Sequence, residues 1–397
     1  MTARKRSPFM QLVRRLGLVV VLVVLFGAIP GYGHVRAAAF LARFTAGDAP
    51  RTGLAAFGAY EVDEQALDFT PAADAAREGH AVVHGRLYVP RGRKDPPGIV
   101  LAHGVHYKGI DEPRLVRFAR TIAESGIAVY TPLLAEIADY HIDPATIDDI
   151  GGAAITLRGW CGKTSVGVMG LSFAGGLSLL AAADPRYASS ISFVVAVGAH
   201  DSLERVARFF VEDEIAEPSG AKLAMKAHDY GAVVLMYGYV DRFFTERDVP
   251  MARNALRELL HENFDEAKKL ALELSPEAAA KMQLVFDHRE DVLGPEILRV
   301  VQTSAPMMAR VSPHGNLSGL RARVFLLHGA GDSVIPPSET RWLAVDAPLG
   351  AVENALVSQA IQHVELHGEP TAREKWDLVH FMAQVLSEAE SETPSGG

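Results

Sequence analysis

Residues 165–183, SVGVMGLSFAGGLSLLAAA, decide the fold. Residues 165–169 form a short apolar run that predicts a buried strand, and the small apolar residues from 175 onward predict a helix packed close to a sheet. Between them, Gly170-Leu171-Ser172-Phe173-Ala174 predicts a sharp turn, because such a turn needs small residues around its centre. A serine at that point presents its hydroxyl above the carboxyl edge of the sheet. Ser172 is therefore the candidate nucleophile, and the alternative is a tight connection without a chemical role.

Strands and helices alternate on both sides of this stretch. Two segments near residues 61–69 and 81–89 predict an antiparallel pair at a sheet edge. The other predicted strands are residues 99–102, 127–131, 191–198, 323–327 and 352–358, and the other predicted helices are residues 113–125, 145–157, 338–345 and 372–389. This order predicts an α/β protein with a mostly parallel, doubly wound sheet that helices cover on both faces.

The alternation stops between residues 201 and 320. Five helices are predicted there, over residues 203–211, 222–239, 251–274, 276–286 and 295–310. Because strands precede and follow this region, we interpret it as a helical cap inserted into the sheet domain. The predicted organisation is a basic region with a hydrophobic signal or anchor segment (1–44), the first part of the core (45–200), the cap (201–320), the second part of the core (321–390) and a flexible tail (391–397).

A serine hydroxyl is a poor nucleophile at neutral pH, so it needs a general base and a group that orients the base. Asp332 lies in the loop after the strand at 323–327, and His363 follows the next strand. Ser172, Asp332 and His363 thus follow successive strand ends, where a doubly wound sheet gathers its active site. These three residues are the predicted catalytic set.

Each of the last two assignments has competitors. Asp332 is alternatively a turn-forming residue, and Asp201 is an alternative acid or the N-cap of the helix that begins at residue 203. His367 competes with His363 as the base, whereas His380 has the helical spacing of a structural residue.

Attack on a carbonyl creates an oxyanion, which needs two preorganised N–H donors. We predict that the backbone amides of Phe173 and Val105 supply them, the first at a helix N-terminus and the second in the loop after residues 99–102. His103 and Gly104 could also form an ordinary strand-ending turn with a satisfied histidine. The pair His103 and His106 lacks a third ligand at metal spacing, so no metal site is predicted.

The order of these features resembles that of the α/β-hydrolase superfamily over about residues 60–390. The loop HGVH at 103–106 differs from the HGGG of the lipase and esterase branch, so the chain looks more similar to dienelactone-hydrolase-like and prolyl-oligopeptidase-like serine hydrolases. Serine at the nucleophile position argues against the dehalogenase and epoxide-hydrolase branches, which use aspartate. Ala174 stands where the family usually has glycine, a change between small residues that leaves the turn feasible.

Composition limits the partners and the chemistry. The 397 residues include 39 Lys and Arg against 48 Asp and Glu, a net charge of −9 that does not favour nucleic-acid binding. The single cysteine, Cys161, excludes an intrachain disulfide and a thiolate zinc cluster.

The N-terminal region is different in charge and hydropathy. Residues 1–47 contain seven basic residues and no acidic one, and residues 16–29 are an apolar run, LGLVVVLVVLFGAI. Its 14 residues would extend about 21 Å as a helix, less than the roughly 30 Å of a bilayer core. A retained signal-anchor, a cleaved signal with Ala37-Ala38-Ala39 as the site, and an apolar N-terminus of a cytosolic protein all remain open. The first two place the catalytic domain outside the cytoplasm, membrane-anchored or exported.

The predicted function is a serine hydrolase that cleaves a carboxylic ester, in preference to an amide, through an acyl-enzyme and without a cofactor. Two alternatives are an acyltransferase of the same fold and a non-catalytic binding module. The apolar residues of the cap either pack it onto the sheet or line an acyl pocket.

Overall fold

The computed structural model describes residues 29–71, 82–362, 365–366 and 371–391. In chain order the strands are β1 (Val62–Ala66), β2 (Gly85–Pro90), β3 (Gly98–Ala102), β4 (Ala128–Pro132), β5 (Val166–Leu171), β6 (Ile191–Val197), β7 (Glu214–Ala216), β8 (Lys222–Ala224), β9 (Arg323–Gly329), β10 (Val352–Ser358), β11 (Ile361–Gln362) and β12 (Glu365–Leu366). Eight of them form one sheet in the order β1-β2-β4-β3-β5-β6-β9-β10. The pairs β1–β2 and β2–β4 are antiparallel and the other five are parallel. The predicted sheet and its antiparallel edge are confirmed.

Helices lie on both faces of this sheet. They are α1 (Ile29–Ala46), α2 (Pro113–Glu124), α3 (Ala135–Ala138), α4 (Ala145–Cys161), α5 (Phe173–Ala183), α6 (Leu203–Glu212), α7 (Tyr230–Gly238), α8 (Val240–Phe243), α9 (Val249–Leu260), α10 (Phe264–Ala271), α11 (Pro276–Phe286), α12 (Glu290–Ala309), α13 (Ser338–Asp346) and α14 (Ala372–Glu390). Every residue of β3, β4 and β5 is buried. This burial on both faces of the sheet explains why these strands are continuous, mainly apolar runs in the sequence.

Alternate side chains of the central strands enter two separate cores. Val100 and Val168 face the core that includes α4, α5 and the helices between β6 and β9. Ile99 and Met169 face the core that includes residues of α1, α2 and α14. The period of two along a strand thus divides the apolar residues between the two faces.

Helix α1 belongs to the second core. Ala37 and Phe40 are buried, and the Phe40 and Phe44 rings lie 6.3 and 5.4 Å from the ring of Phe118 on α2. The predicted boundary between residues 44 and 45 therefore falls inside a helix that packs on the sheet domain. Ala37 and Ala39, considered above as part of a cleavage site, lie in the middle of this helix. Residues 1–28, which hold most of the apolar run, lie outside the described residues.

The helical region between β6 and β9, hereafter the insertion, differs from its prediction in three places. Residues 222–239 are not one helix, because Lys222–Ala224 form β8 and pair with β7. Residues 251–274 contain two helices, α9 and α10, separated where Glu262 adopts a positive φ of 65°. Helix α12 begins at Glu290 and contains both Pro295 and Pro306, so Pro295 is not its first residue. Among the described helices, none combines the length and apolar character needed to cross a bilayer.

Candidate active site

Ser172 lies at a strained turn between β5 and α5. Its backbone has φ 56° and ψ −134°, a combination that non-glycine residues rarely adopt. The Ser172 amide donates a hydrogen bond to the carbonyl of Val197 at 2.8 Å, and the Gly175 amide donates to the Ser172 carbonyl at 2.9 Å. These two bonds hold the turn against β6 and the first turn of α5, so the side chain stands at the carboxyl edge of the sheet.

The small residues around Ser172 are required by close contacts. A Cβ on Gly170 would lie 2.5 Å from both the Ala174 carbonyl oxygen and the Ser178 Oγ. A Cβ on Gly175 would lie 2.7 Å from the Ala199 Cβ. Ala174 itself is fully buried, so the structure accommodates its methyl group. The α/β-hydrolase superfamily, which the sequence resembles, usually has glycine at this position. The sequence prediction of a sharp strand-to-helix turn is therefore confirmed.

The loop after β3 lies directly beside Ser172. A Cβ on Gly104 would be 3.3 Å from the Ser172 Cβ. Within the described part of the chain, the backbone amides of Val105 and Phe173 donate to no protein acceptor. Two N–H groups without an acceptor in the described residues thus adjoin the serine's surroundings: one follows Gly104 in the loop after β3, and the other belongs to the first residue of α5.

His103 fixes the conformation of this loop. The Leu134 amide donates to its Nε2 at 3.0 Å, so the proton is on Nδ1, which donates to the Gly104 carbonyl at 2.9 Å. Burial lowers the pKa of His103 to about 4. The imidazole is therefore neutral and satisfied, and it acts as a positioning residue for the peptide that precedes Val105. His106 accepts from the Lys108 amide at 3.1 Å, so both histidines serve the loop.

Asp332 is buried in the loop after β9. Its Oδ1 accepts hydrogen bonds from the amides of Val334 and Ile335 at 2.9 and 3.0 Å. Its Oδ2 points toward the end of β6, 3.4 Å from the position that a Cβ on Gly198 would occupy. One carboxylate oxygen is thus clamped in a turn, and the other faces the strand that neighbours β5. The turn alternative considered for Asp332 is therefore also a feature of this residue.

The predicted general base is His363, with His367 as its competitor. His363 and its competitor His367 lie outside the described residues, between and after β11 and β12. His380 is exposed on α14, where its Nδ1 lies 3.0 Å from the His34 Nε2 of α1. Its position between two helices agrees with a structural role.

Asp201 occupies a different environment from the one predicted. Ser202, not Asp201, caps α6 by accepting from the Arg205 amide. The Asp201 carboxylate is fully buried and accepts from Arg205 at 2.8 Å, and Arg205 also binds Glu339. Burial is the largest cause that raises the pKa of Asp201 to about 7. Asp201 is thus part of an ion cluster at the base of the insertion.

The insertion contacts the loops on both sides of Ser172. The ring of Tyr107, two residues after Val105, lies 4.5 Å from the ring of His261 at the end of α9. The His228 amide donates to the Ser333 carbonyl, next to Asp332, at 2.8 Å. Neither Tyr107 nor His261 is a site residue predicted from the sequence. A signal was present only for Tyr107, which adjoins the predicted oxyanion loop.

Comparisons with known proteins bear on the fold. No protein-family model matches the chain, and no curated protein sequence is significantly similar to it. A putative hydrolase of Legionella pneumophila superimposes with a TM-score of 0.51 at 12% identity, over 89% of this chain and 94% of that one. The chain has the α/β-hydrolase fold.

Two further structures are similar at lower scores. A brefeldin A esterase, described as a bacterial homologue of human hormone sensitive lipase, has a TM-score of 0.46, 15% identity, and coverage of 90% of this chain and 86% of that one. An acylaminoacyl peptidase of Pyrococcus horikoshii has a TM-score of 0.47, 10% identity and coverage of 85% of this chain. The chain spans 42% of the length of that peptidase. At these identities the likeness concerns the fold and not the activity.

Proposed function

We propose that this α/β-hydrolase-fold protein is a serine hydrolase that cleaves a carboxylic ester. One observation carries the proposal: a strained serine lies beside the loop that holds Val105 and directly before Phe173, and the amides of these two residues have no acceptor within the described residues. An N–H group that is withdrawn from water without an acceptor costs free energy, so two such donors near one hydroxyl favour a place where an oxyanion is stabilised. An amide substrate is the less favoured variant of the same chemistry.

The proposed reaction has two halves. Ser172 Oγ attacks the ester carbonyl carbon while its proton passes to the imidazole of His363, which Asp332 orients. The oxyanion accepts hydrogen bonds from the Val105 and Phe173 amides. The C–O bond to the alcohol then breaks, the alcohol takes the proton from His363, and the acyl group stays on Ser172. Water repeats the sequence on the acyl-enzyme and releases the acid, and no cofactor is needed.

We further propose that the insertion acts as the cap of this site. The contacts of Tyr107 with His261 and of Ser333 with His228 join the insertion to both catalytic loops. Its apolar side chains are mainly buried. For example, the Phe210 ring of α6 packs so closely on α7 that a Cβ on Gly231 would lie 2.2 Å from it. Such packing favours the interpretation that they join the cap to the sheet. Met307 differs, with 56% of its surface exposed.

The experiment is ester hydrolysis by the full chain with p-nitrophenyl esters from acetyl to hexanoyl. We expect release of free acid without an added acceptor and a flat or falling kcat/KM with chain length. An acyl pocket would instead add about 0.8 kcal/mol per methylene, or roughly tenfold for two carbons. Release only when an alcohol or amine is added would support the acyltransferase, and no turnover of any ester would support the binding module.

The base is assigned by a matched pair of variants. We expect His363→Ala to remove nearly all activity and His367→Ala to retain it, because only one imidazole can receive the serine proton. The reverse result would transfer the role to His367.

We also propose a membrane-anchored or exported location, on the sequence of residues 1–29 alone. Fractionation and alkaline extraction of the full chain test this, and recovery in the cytosolic fraction would contradict it.

A further inference from the structure

A second cavity lies away from Ser172, on the side of the molecule that carries α1. It has a volume of about 590 Å³. Three arginines and one carboxylate line it, together with aromatic and small residues: Arg36, Arg43, Arg93, Glu390, Tyr32, Phe57, Gly58, Ala59, Tyr60 and Ser125.

The three guanidinium groups converge on two shared partners. Arg36 donates to the Ser125 carbonyl at 3.1 Å, and Arg43 donates to the Ser125 hydroxyl at 2.9 Å. Arg36 and Arg93 bind the two oxygens of Glu390 at 2.8 and 2.5 Å. Arg36 and Arg93 thus share one carboxylate in the cavity wall, and Arg36 and Arg43 share Ser125.

Arg43 is the most buried of these cations. Only 2% of its surface is exposed, and its Nε has no hydrogen-bond partner among the described residues. Burial is the largest cause that lowers the pKa of Arg43, and the positive charges of Arg51 and Arg36 add to it. Glu124 partly compensates, at 3.9 Å, but it also binds Arg51. The cavity therefore retains unbalanced positive charge.

The cavity also lies next to the apolar run in the sequence. Tyr32 follows the end of that run by three residues, and Arg36 by seven. At 1.5 Å per residue of α1, Arg36 is about 10 Å along the helix from Ile29. The headgroup layer on each side of a bilayer is roughly 5–8 Å thick, so Arg36 would lie just beyond its outer edge if Ile29 stood at the hydrocarbon boundary.

We propose that this cavity binds a phosphate oxyanion, with the headgroup of an anionic lipid as its source. An arginine guanidinium binds two phosphate oxygens through two parallel N–H donors. The Tyr60 ring lies 5.9 Å from the Arg93 guanidinium and holds it in place. A phosphate would enter between Arg36 and Arg93 and reduce the charge imbalance around Arg43.

The test is calorimetric titration of the full chain with inorganic phosphate at constant ionic strength. Arg93→Gln removes one guanidinium group from the cavity. Arg323→Gln is its matched control, because Arg323 lies outside the cavity and binds Glu388 of α14, the helix that also carries Glu390, at 3.0 Å. We expect saturable binding to the wild type and to the control, and a loss of roughly tenfold in Arg93→Gln. Glu390→Gln removes the competing carboxylate, so it should tighten phosphate binding severalfold.

The opposite signs separate ligand binding from a structural role. If the arginines only fasten α1 and the loop after β2 to α14, both Arg93→Gln and Glu390→Gln should lower the melting temperature and neither should change phosphate affinity selectively. That result, or no saturable binding to the wild type, overturns the proposal. Tighter binding of dihexanoyl phosphatidic acid than of inorganic phosphate supports the lipid source, and equal affinity overturns that part in favour of free phosphate.

Discussion

At the scale of single residues, the backbone of Ser172 is strained, and neighbouring contacts must offset the free-energy cost of that strain. A residue in such a rare conformation costs about 1–3 kcal/mol. The hydrogen bonds to Val197 and from Gly175 fix the strained turn, and the absence of side chains at Gly170 and Gly104 lets the neighbouring backbones approach. The position of the hydroxyl therefore depends on glycines that carry no chemistry.

Gly170 gives a direct test of that dependence. Gly170→Ala should destabilise the fold by roughly 1–3 kcal/mol or more, because its Cβ would meet the backbone oxygen of Ala174 at 2.5 Å. Gly159→Ala is the control: Gly159 is exposed within α4 with nothing near its Cβ position, so the change should stabilise by about 0.5–1 kcal/mol. Urea denaturation measures both. Equal effects of the two changes would refute the packing argument.

His103 should make stability depend on pH. Its pKa is about 4 in the folded chain against 6.5 when unperturbed, so between these values the unfolded chain binds a proton that the folded chain does not. Its contribution is complete above pH 6.5 and is lost as the pH falls toward 4, by up to about 3 kcal/mol. His103→Gln should flatten the slope of unfolding free energy over that interval, with His380→Gln as the control for an exposed histidine. An unchanged slope in His103→Gln would show that the ring is not held neutral.

At the scale of secondary-structure elements, α1 and the insertion show what local sequence signals miss. The sequence groups residues 29–44 with the hydrophobic segment before them, but Ala37, Phe40 and Phe44 pack on the sheet domain. In the insertion, residues 222–224 pair with β7 across the turn at residues 218–220, and this pairing, a contact with a preceding segment, prevents one long helix over 222–239.

Two truncations, one before α1 and one after it, should show how much α1 contributes to the free energy of unfolding. A chain that begins at residue 29 should unfold like the full chain, because it keeps α1. A chain that begins at residue 47 should lose roughly 3–6 kcal/mol, since Phe40 is buried and Leu41 and Phe44 pack on the same core, and full burial of one such side chain contributes about 1.5–3 kcal/mol. Denaturation curves for the two chains provide the comparison, and equal midpoints would mean that α1 does not stabilise the core.

At the scale of the whole molecule, the sheet brings distant parts of the sequence to one edge. Leu171, Val197 and Leu327 lie in register across β5, β6 and β9, so Ser172 and Asp332 both follow the ends of nearby strands. The sequence predicted this because apolar runs, small turn residues and strand order are local or sequential signals. It could not predict the Tyr107–His261 contact or the ion cluster of Asp201 and Glu339, since these arise from how the insertion packs.

The most direct measurement of the central claim is covalent labelling of the full chain with a fluorophosphonate, followed by peptide mass spectrometry. An activated serine attacks phosphorus and displaces fluoride, whereas an ordinary serine hydroxyl is a poor nucleophile. We predict one adduct per chain on Ser172, no adduct in Ser172→Ala and an unchanged melting temperature in that variant. An adduct on another residue, or no adduct on a folded wild-type chain, would contradict the assignment of Ser172 as the nucleophile.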